Sequence, residues 1–325
     1  MDNVTISERG LGRGRYNGGE SMTNINRFLE ILIIAKRLSI RSIWLLLLSL
    51  LSISVSGASK SPWVRVPIFG FHDIIDSRED LVKFQRPLVS TDYEKRQLYS
   101  FLNYLVVNDY WFLSSQDLFV YFIQKSQPIP AEYENRKPVM ITFDDGYAGV
   151  HDHVLPILKD LEYIYREKVK VVLFVNPAYM GVNMPPYIPH LSCEDLRYGF
   201  AKGYYDIQSH GYSHQNLTKL DANNLRIELE WGKSQLRKCT EDLDRNQLVA
   251  AHIAYPFGAL STQLERYLRG YHLTGYLYDN RVSRPTQLKN PFRISRIPVN
   301  KDTQIHELIK MAEMAKPVKL SISDN

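Results

Sequence analysis

The sequence predicts an α/β protein built on a parallel sheet or barrel of about seven strands. Three observations lead there. Short apolar runs recur along the body of the chain, several of them apolar on both faces, as strands buried on both sides of a parallel sheet are. Capped helical patterns stand between these runs, and strand–helix alternation over this length calls for parallel crossovers. Polar residues of catalytic type sit just after three of the runs, where α/β barrels place their chemistry.

In chain order, the expected strands are residues 65–71, 139–143, 169–175, 205–208, 249–255, 274–278 and 292–299. The stretch "TDYEKRQLYSFLNYLVVND" reads as a helix opening at Thr91, with Glu94 three residues on completing a capping box. "SCEDLRYGFAKG" repeats the pattern with Ser192 and Asp195 and closes on Gly203. "LDANNLRIELEWGKSQLRKCTEDL" is a third long helix.

The N-terminal part reads differently. Residues 43–55, "IWLLLLSLLSISV", form an apolar stretch behind Lys36, Arg37 and Arg41 and ahead of the small residues Ser56, Gly57 and Ala58. That is the pattern of a secretory signal peptide. The apolar core is short for a spanning helix, which needs about 20 residues. The charge-free stretch from Ser42 to Ser59 keeps an uncleaved membrane anchor open as the alternative. Met22 offers a start that gives the leader an ordinary length. The chain therefore divides into residues 1–58, a polar leader with its signal peptide or anchor, and residues 59–325, the folded domain; the expectation is export, against the competing reading of 43–55 as a buried core helix.

Charge excludes one class of partner. The 325-residue chain is +5, but residues 1–58 hold seven basic and four acidic residues, so the remainder carries 33 against 31. A balance of +2 argues against nucleic acid. The 21 tyrosines suit a sugar-binding groove, and equally the boundary between core and surface. The two cysteines, Cys193 and Cys239, allow one disulfide in an exported protein or two separate thiols.

Three polar stretches carry the chemistry. "ITFDDGY" ends a buried strand on Asp144 and Asp145, although strands disfavour Asp and like charges repel. An Asp-Gly turn explains that locally; a metal ligand beside a base explains it chemically. "DIQSHGYSHQNL" places His210 and His214 four apart at another strand end. On a helical turn that spacing puts both imidazoles on one face, and two His with one carboxylate make a catalytic metal set. "HIAYPFG" ends a strand in a Pro-Gly turn that exposes backbone N–H groups.

"TFDDGY", "SHGYSH" and "AYPFG", in that order, resemble the polysaccharide deacetylases, the NodB-homology domain of carbohydrate esterase family 4. "VPIFGFHDI" is similar to the family's first strand with its aromatic–His pair, and "FRISRIPV" to its last. The resemblance covers about residues 64–300. It implies a distorted (β/α) barrel of about seven parallel strands. It also implies that Asp145, His210 and His214 hold a divalent metal, zinc by default with cobalt or nickel fitting the same donors. Asp144 would be the general base and the Phe257 N–H an oxyanion donor.

Two family features are missing. Ala254 stands where many members carry an Arg that positions the base, and no Leu-x-His segment follows residue 280 to supply the acid. Both absences predict a slow enzyme. His72, His252 and His272 are the candidate acids; His72 is best placed, with a structural bond to Asp73 as its competing role. His151, His153 and His190 read as solvated or capping. The departure resembles the exported subgroup acting on exopolysaccharides such as poly-N-acetylglucosamine. The expected activity is metal-dependent N-deacetylation of an N-acetylhexosamine polymer, an exopolysaccharide or a cell-wall glycan. Three other readings compete: a carbohydrate-binding pseudo-enzyme, a small-amide metallohydrolase on the same barrel, and a membrane-anchored interaction protein whose acids and histidines are structural.

Overall fold

The computed structural model describes residues 65–83, 86–183, 188–283 and 288–318. The expected leader, including residues 43–55 and Met22, lies outside them. Among the described residues no helix is long and apolar enough to cross a membrane.

Among the described residues ten strands form: β1 Ile68–Phe71, β2 Ile74–Ile75, β3 Tyr93–Glu94, β4 Tyr110–Phe112, β5 Lys137–Asp145, β6 Val171–Val175, β7 Tyr205–Ser209, β8 His252–Ala254, β9 Thr274–Tyr276 and β10 Ile297–Pro298. Seven of them make one parallel path in the order β10-β1-β5-β6-β7-β8-β9, with β4 added on β5. This is the expected distorted (β/α) barrel. Its central strands are apolar because both faces are covered: every residue of β1 and β6 is buried.

The run expected as one last strand, residues 292–299, is divided between two partners. Ile294 bridges Tyr276 at the end of β9, while Ile297–Pro298 pairs with β1. One short segment thus joins the last strand of the path to the first and curls the sheet round.

Two of the three expected helices form as read. Ser192 and Asp195 make their capping box, with Asp195 N–H donating to Ser192 Oγ at 3.2 Å and Ser192 N–H to Asp195 Oδ2 at 2.8 Å. The long helix Ala222–Thr240 is capped by Asp221, whose carboxylate accepts from Asn224 N–H at 2.9 Å. The third begins late: Lys95–Val107 has Glu94 at its N-cap with no side-chain cap, so the box from Thr91 does not form. Tyr93 and Glu94 instead pair with β2 as β3. Tyr93 is buried against Phe71 at 5.4 Å between ring centroids, and that packing holds the two residues extended.

Cys193 and Cys239 form a disulfide. It ties the first residue of helix Cys193–Ala201 to the last turn of helix Ala222–Thr240. Closing a loop with a sequence separation of 46 should stabilise the fold by about 2–4 kcal/mol. Cys239→Ser should lower the urea midpoint accordingly, and reductant should shift wild type to the same value. A wild-type midpoint unchanged by reduction would show that the crosslink contributes nothing.

Candidate active site

Because the strands are parallel, their C-terminal ends meet at one mouth, and the residues just past those ends line it. β5 delivers Asp144 and Asp145, β7 is followed by His210, β8 by Tyr255–Phe257, and β1 by His72. The expected groups therefore converge from four strands.

Asp145 is the centre of the cluster. Its Oδ1 lies 3.5 Å from His210 Nε2 and 3.3 Å from His214 Nε2. Donor atoms of all three lie within 4.8 Å of one another. His210 Nδ1 sits 2.9 Å from the Ala254 carbonyl, so Nδ1 carries the proton. Burial lowers the His210 pKa to about 4, against the pull of Asp144 and Asp145. The ring is thus neutral at pH 7, and its bare Nε2 lone pair faces the carboxylate. Asp145 Oδ1 is buried without a hydrogen-bond donor. Two acceptors facing one another across 3.5 Å repel unless a cation lies between them, so these three residues fit a divalent metal.

The His pair reaches this geometry without a helix. Residues 210–214 form a loop, with Gly211 at φ 78° and His214 at φ 58°. The i,i+4 spacing works because the loop turns back through two left-handed residues, not because a helical turn stacks the rings. Asp145 at φ 71° and Phe257 at φ 61° share that left-handed backbone. For Asp145 it has a direct use. Successive strand residues face opposite sides of a sheet, and the left-handed turn breaks that alternation. His210 Nε2 can then lie 4.0 Å from Asp144 Oδ2 as well as 3.5 Å from Asp145 Oδ1.

Asp144 has a partner the sequence reading missed. Arg296, fully buried, donates from Nη1 to Oδ1 at 2.6 Å and from Nη2 to Oδ2 at 2.8 Å. The same guanidinium donates to Thr142 Oγ1 at 3.1 Å and to the Leu277 carbonyl at 2.9 Å, and lies against the rings of Phe174 and Tyr278. Burial alone would raise the Asp144 pKa, but Arg296 and His210 outweigh it and hold the carboxyl at about 2. The expectation of an unpositioned acid next to Ala254 is corrected: a guanidinium reaches it from the segment leading into β10. The available signal was two arginines, Arg293 and Arg296, inside an apolar strand pattern.

The candidate acids separate by end of the barrel. His252 begins β8 and His272 precedes β9, so both lie at the N-terminal end, away from the cluster. His252 is buried with Nδ1 2.7 Å from Thr274 Oγ1, and His272 is buried beside it in the same region. Only His72 of the three is at the mouth, near enough to Asp144 to influence it, with Nδ1 3.5 Å from Tyr278 Oη. Its competing bond to Asp73 is not made; that carboxylate accepts from Arg86 at 2.8 Å. His190 is not solvated as expected. It is half-buried, with ring centroids 4.8 Å from Tyr147 and 5.4 Å from Tyr179. His151 is close to its expected role, 3.6 Å from Asp195 in the first turn of a helix. Phe257 is 69% exposed, and its ring lies 4.6 Å from that of His214.

The family model for polysaccharide deacetylases matches residues 131–276, the span from the approach to β5 to the end of β9. Over those residues the chain is similar to a polysaccharide deacetylase domain. A bifunctional xylanase/deacetylase of Pseudobutyrivibrio xylanivorans is 24% identical over 104 residues, 32% of this chain and 15% of that protein's length. In structure the chain resembles a polysaccharide deacetylase of Bacillus cereus (TM-score 0.62, 17% identity, 77% of this chain and 69% of that one). It also resembles the Streptococcus pyogenes deacetylase PplD (0.61, 19%, 77% and 98%). A third likeness is to IcaB of Ammonifex degensii (0.59, 20%, 77% and 97%). At these identities the likeness establishes the fold.

The Arg296–Asp144 pair yields a stability prediction. The folded carboxyl titrates at about 2 against 3.8 when free, so the pair's contribution is complete above about pH 4 and is lost as pH falls toward 2. Arg296→Met leaves a buried charge unpaired and should cost about 3–5 kcal/mol at pH 7. Adding Asp144→Asn should recover most of that loss in urea unfolding. Strict additivity of the two variants would show that the pair is not coupled.

Proposed function

We propose that this protein is an exported, metal-dependent N-deacetylase acting on a polymer of N-acetylhexosamine. The observation that carries the reading is the convergence of Asp145 Oδ1, His210 Nε2 and His214 Nε2 beside an Asp144 fixed by Arg296. Asp145, His210 and His214 would hold the ion, with zinc first and cobalt or nickel as alternatives. When bound, it supplies Lewis acidity toward the acetamide carbonyl and the attacking water.

The chain's own residues do the rest. Asp144 is ionised at any physiological pH, and its Oδ2 is the oxygen nearer the cluster at 4.0 Å from His210 Nε2. It accepts the proton of the attacking water. Arg296 fixes its direction and keeps it charged, at a cost in basicity, so proton removal relies on acidification of the water more than on the strength of the base. The exposed turn at Phe257 offers its backbone N–H to the oxyanion that develops as the carbonyl carbon becomes tetrahedral. His72 gives the proton that the leaving amine requires. It sits on the β1 side of Asp144, with Tyr278 beside its ring.

Export is supported by the signal-like segment 43–55 and by the disulfide between Cys193 and Cys239, which persists in oxidising compartments. A polymer is supported by the subgroup that "AYPFG" resembles and by the exposed Phe257 at the mouth. With Arg296 holding the base, one of the two grounds for a slow enzyme is removed.

Acetate release from one-, three- and five-sugar N-acetylglucosamine oligomers, at equal acetyl concentration, tests this. Zinc-loaded wild type should favour the longer chains, because remote sugars add binding energy used at the reacting centre. Asp144→Asn should keep its zinc and lose about 10²–10⁴-fold in rate. Equal rates on all three lengths would favour a small-amide hydrolase. Oligomer binding without acetate release would favour a carbohydrate-binding pseudo-enzyme.

A further inference from the structure

The loop that carries both histidines is clamped by one buried carboxylate that belongs to a different element. Glu228 lies on helix Ala222–Thr240, on the buried stripe formed with Leu225, Leu229, Gly232 and Leu236. An acid in the middle of an apolar stripe is costly unless hydrogen bonds hold its charge. Here they do. Oε2 accepts from Tyr212 N–H at 2.8 Å and from Ser213 N–H at 3.0 Å, and Oε1 accepts from the Ser213 hydroxyl. These residues are the ones between His210 and His214.

The approach is as close as it can be. A Cβ on Gly211 would stand 2.9 Å from Glu228 Oε2, and a Cβ on Gly232 would stand 2.9 Å from the Gly211 carbonyl carbon. The two glycines let helix and loop touch backbone to backbone, which brings the carboxylate within reach of the N–H groups. Three of the loop's carbonyls are tied by the turn after β6. Asn176 Nδ2 donates to the His210 carbonyl, Ala178 N–H to the Tyr212 carbonyl at 3.0 Å, and Tyr179 Oη to the Ser213 carbonyl at 3.3 Å. The loop is held by two elements, and Glu228 is the whole of the helix's share of that polar grip among the described contacts.

This matters because His214 needs help. Its φ of 58° is unfavourable for a residue with a side chain, by about 1–2 kcal/mol. A free loop would relax, and Nε2 would leave its position 3.3 Å from Asp145 Oδ1. His210 does not need the same help, since Val175 and Ala254 fix it from the sheet.

We propose that Glu228 is a positioning residue for metal binding: it preorganises the 210–214 loop so that His214 faces Asp145, and it acts through geometry, not through contact with the ion. The assignment rests on the metal-site reading above. Groups that orient metal ligands typically contribute 10–100-fold in affinity.

The measurement is the zinc dissociation constant of the full chain by competition with a chelator dye, with thermal melts of the zinc-free protein alongside. Glu228→Ala and Glu228→Asp should weaken zinc about 10–100-fold while Asp145, His210 and His214 remain present. Glu228→Gln should restore near-wild-type affinity, because its carbonyl can accept both N–H groups and its amide can donate to the Ser213 hydroxyl. A role in stability alone would lower the melting temperature and leave the affinity of the folded protein unchanged. Wild-type affinity in folded Glu228→Ala overturns the proposal. If that variant does not fold, equal zinc affinities for the Asp and Gln variants overturn it. A wild-type chain that takes up no zinc, or takes it up independently of Asp145, defeats the metal-site reading itself, and this assignment with it.

Discussion

Two carboxylates in sequence at the end of a buried strand cannot both stay ionised unless each has its own cation. Most of the site follows from how this chain meets that constraint. Asp144 is answered from inside the barrel by Arg296, with two parallel hydrogen bonds. Asp145, brought toward the same imidazole by its left-handed backbone, is left with a buried oxygen facing His210 and His214. One acid has a built-in cation, and the other has donor atoms arranged for a cation from outside. Their chemical difference comes from that asymmetry: identical side chains one residue apart become a fixed, charged acceptor and a candidate ligand.

The mouth also holds backbone strain. Asp145, His214 and Phe257 all have positive φ without being glycine. Each such residue costs on the order of 1–3 kcal/mol and persists only where the surroundings over-determine it. The surroundings here are the β5–β6 ladder, the Glu228 clamp and the Pro256 turn at the end of β8. A barrel supplies such support naturally, because each loop is anchored at a strand end and packed on a helix from the next crossover. The disulfide pins the far end of the helix that bears Glu228, so the frame behind the histidine loop is itself crosslinked.

Much of this was legible in the sequence. Six of the seven expected strands form at their runs and the seventh is divided between two partners; most stood out because buried parallel strands are largely apolar on both faces, and that leaves a mark in any single chain. The acid pair and the His pair stood out because polar residues were placed against that apolar background. What escaped were partners whose identity depends on three-dimensional closure. Arg296 is more than 150 residues from Asp144, at a |i−j| of 152, and nothing local distinguishes it from Arg293, which is spent on Glu265 at 2.8 Å. Nothing local in the helix sequence singles out Glu228 from its neighbour Glu230. The Thr91 box failed because burying Tyr93 as a strand residue outweighed a cap of about 1 kcal/mol. The His210–His214 spacing was read correctly as a pair and wrongly as a helical turn, since a loop with two left-handed residues brings the same positions together.

On the reading proposed above, the three donor atoms at the mouth hold one divalent ion. Anomalous diffraction on either side of the zinc edge, from crystals grown with stoichiometric zinc, tests it most directly. The account predicts a single strong anomalous peak bonded to Asp145 Oδ1, His210 Nε2 and His214 Nε2, at about 2.0–2.2 Å from each, with Asp144 still paired to Arg296 and outside bonding distance. A peak bonded to Asp144 in place of Asp145, or zinc bound elsewhere with this cluster empty, would contradict it.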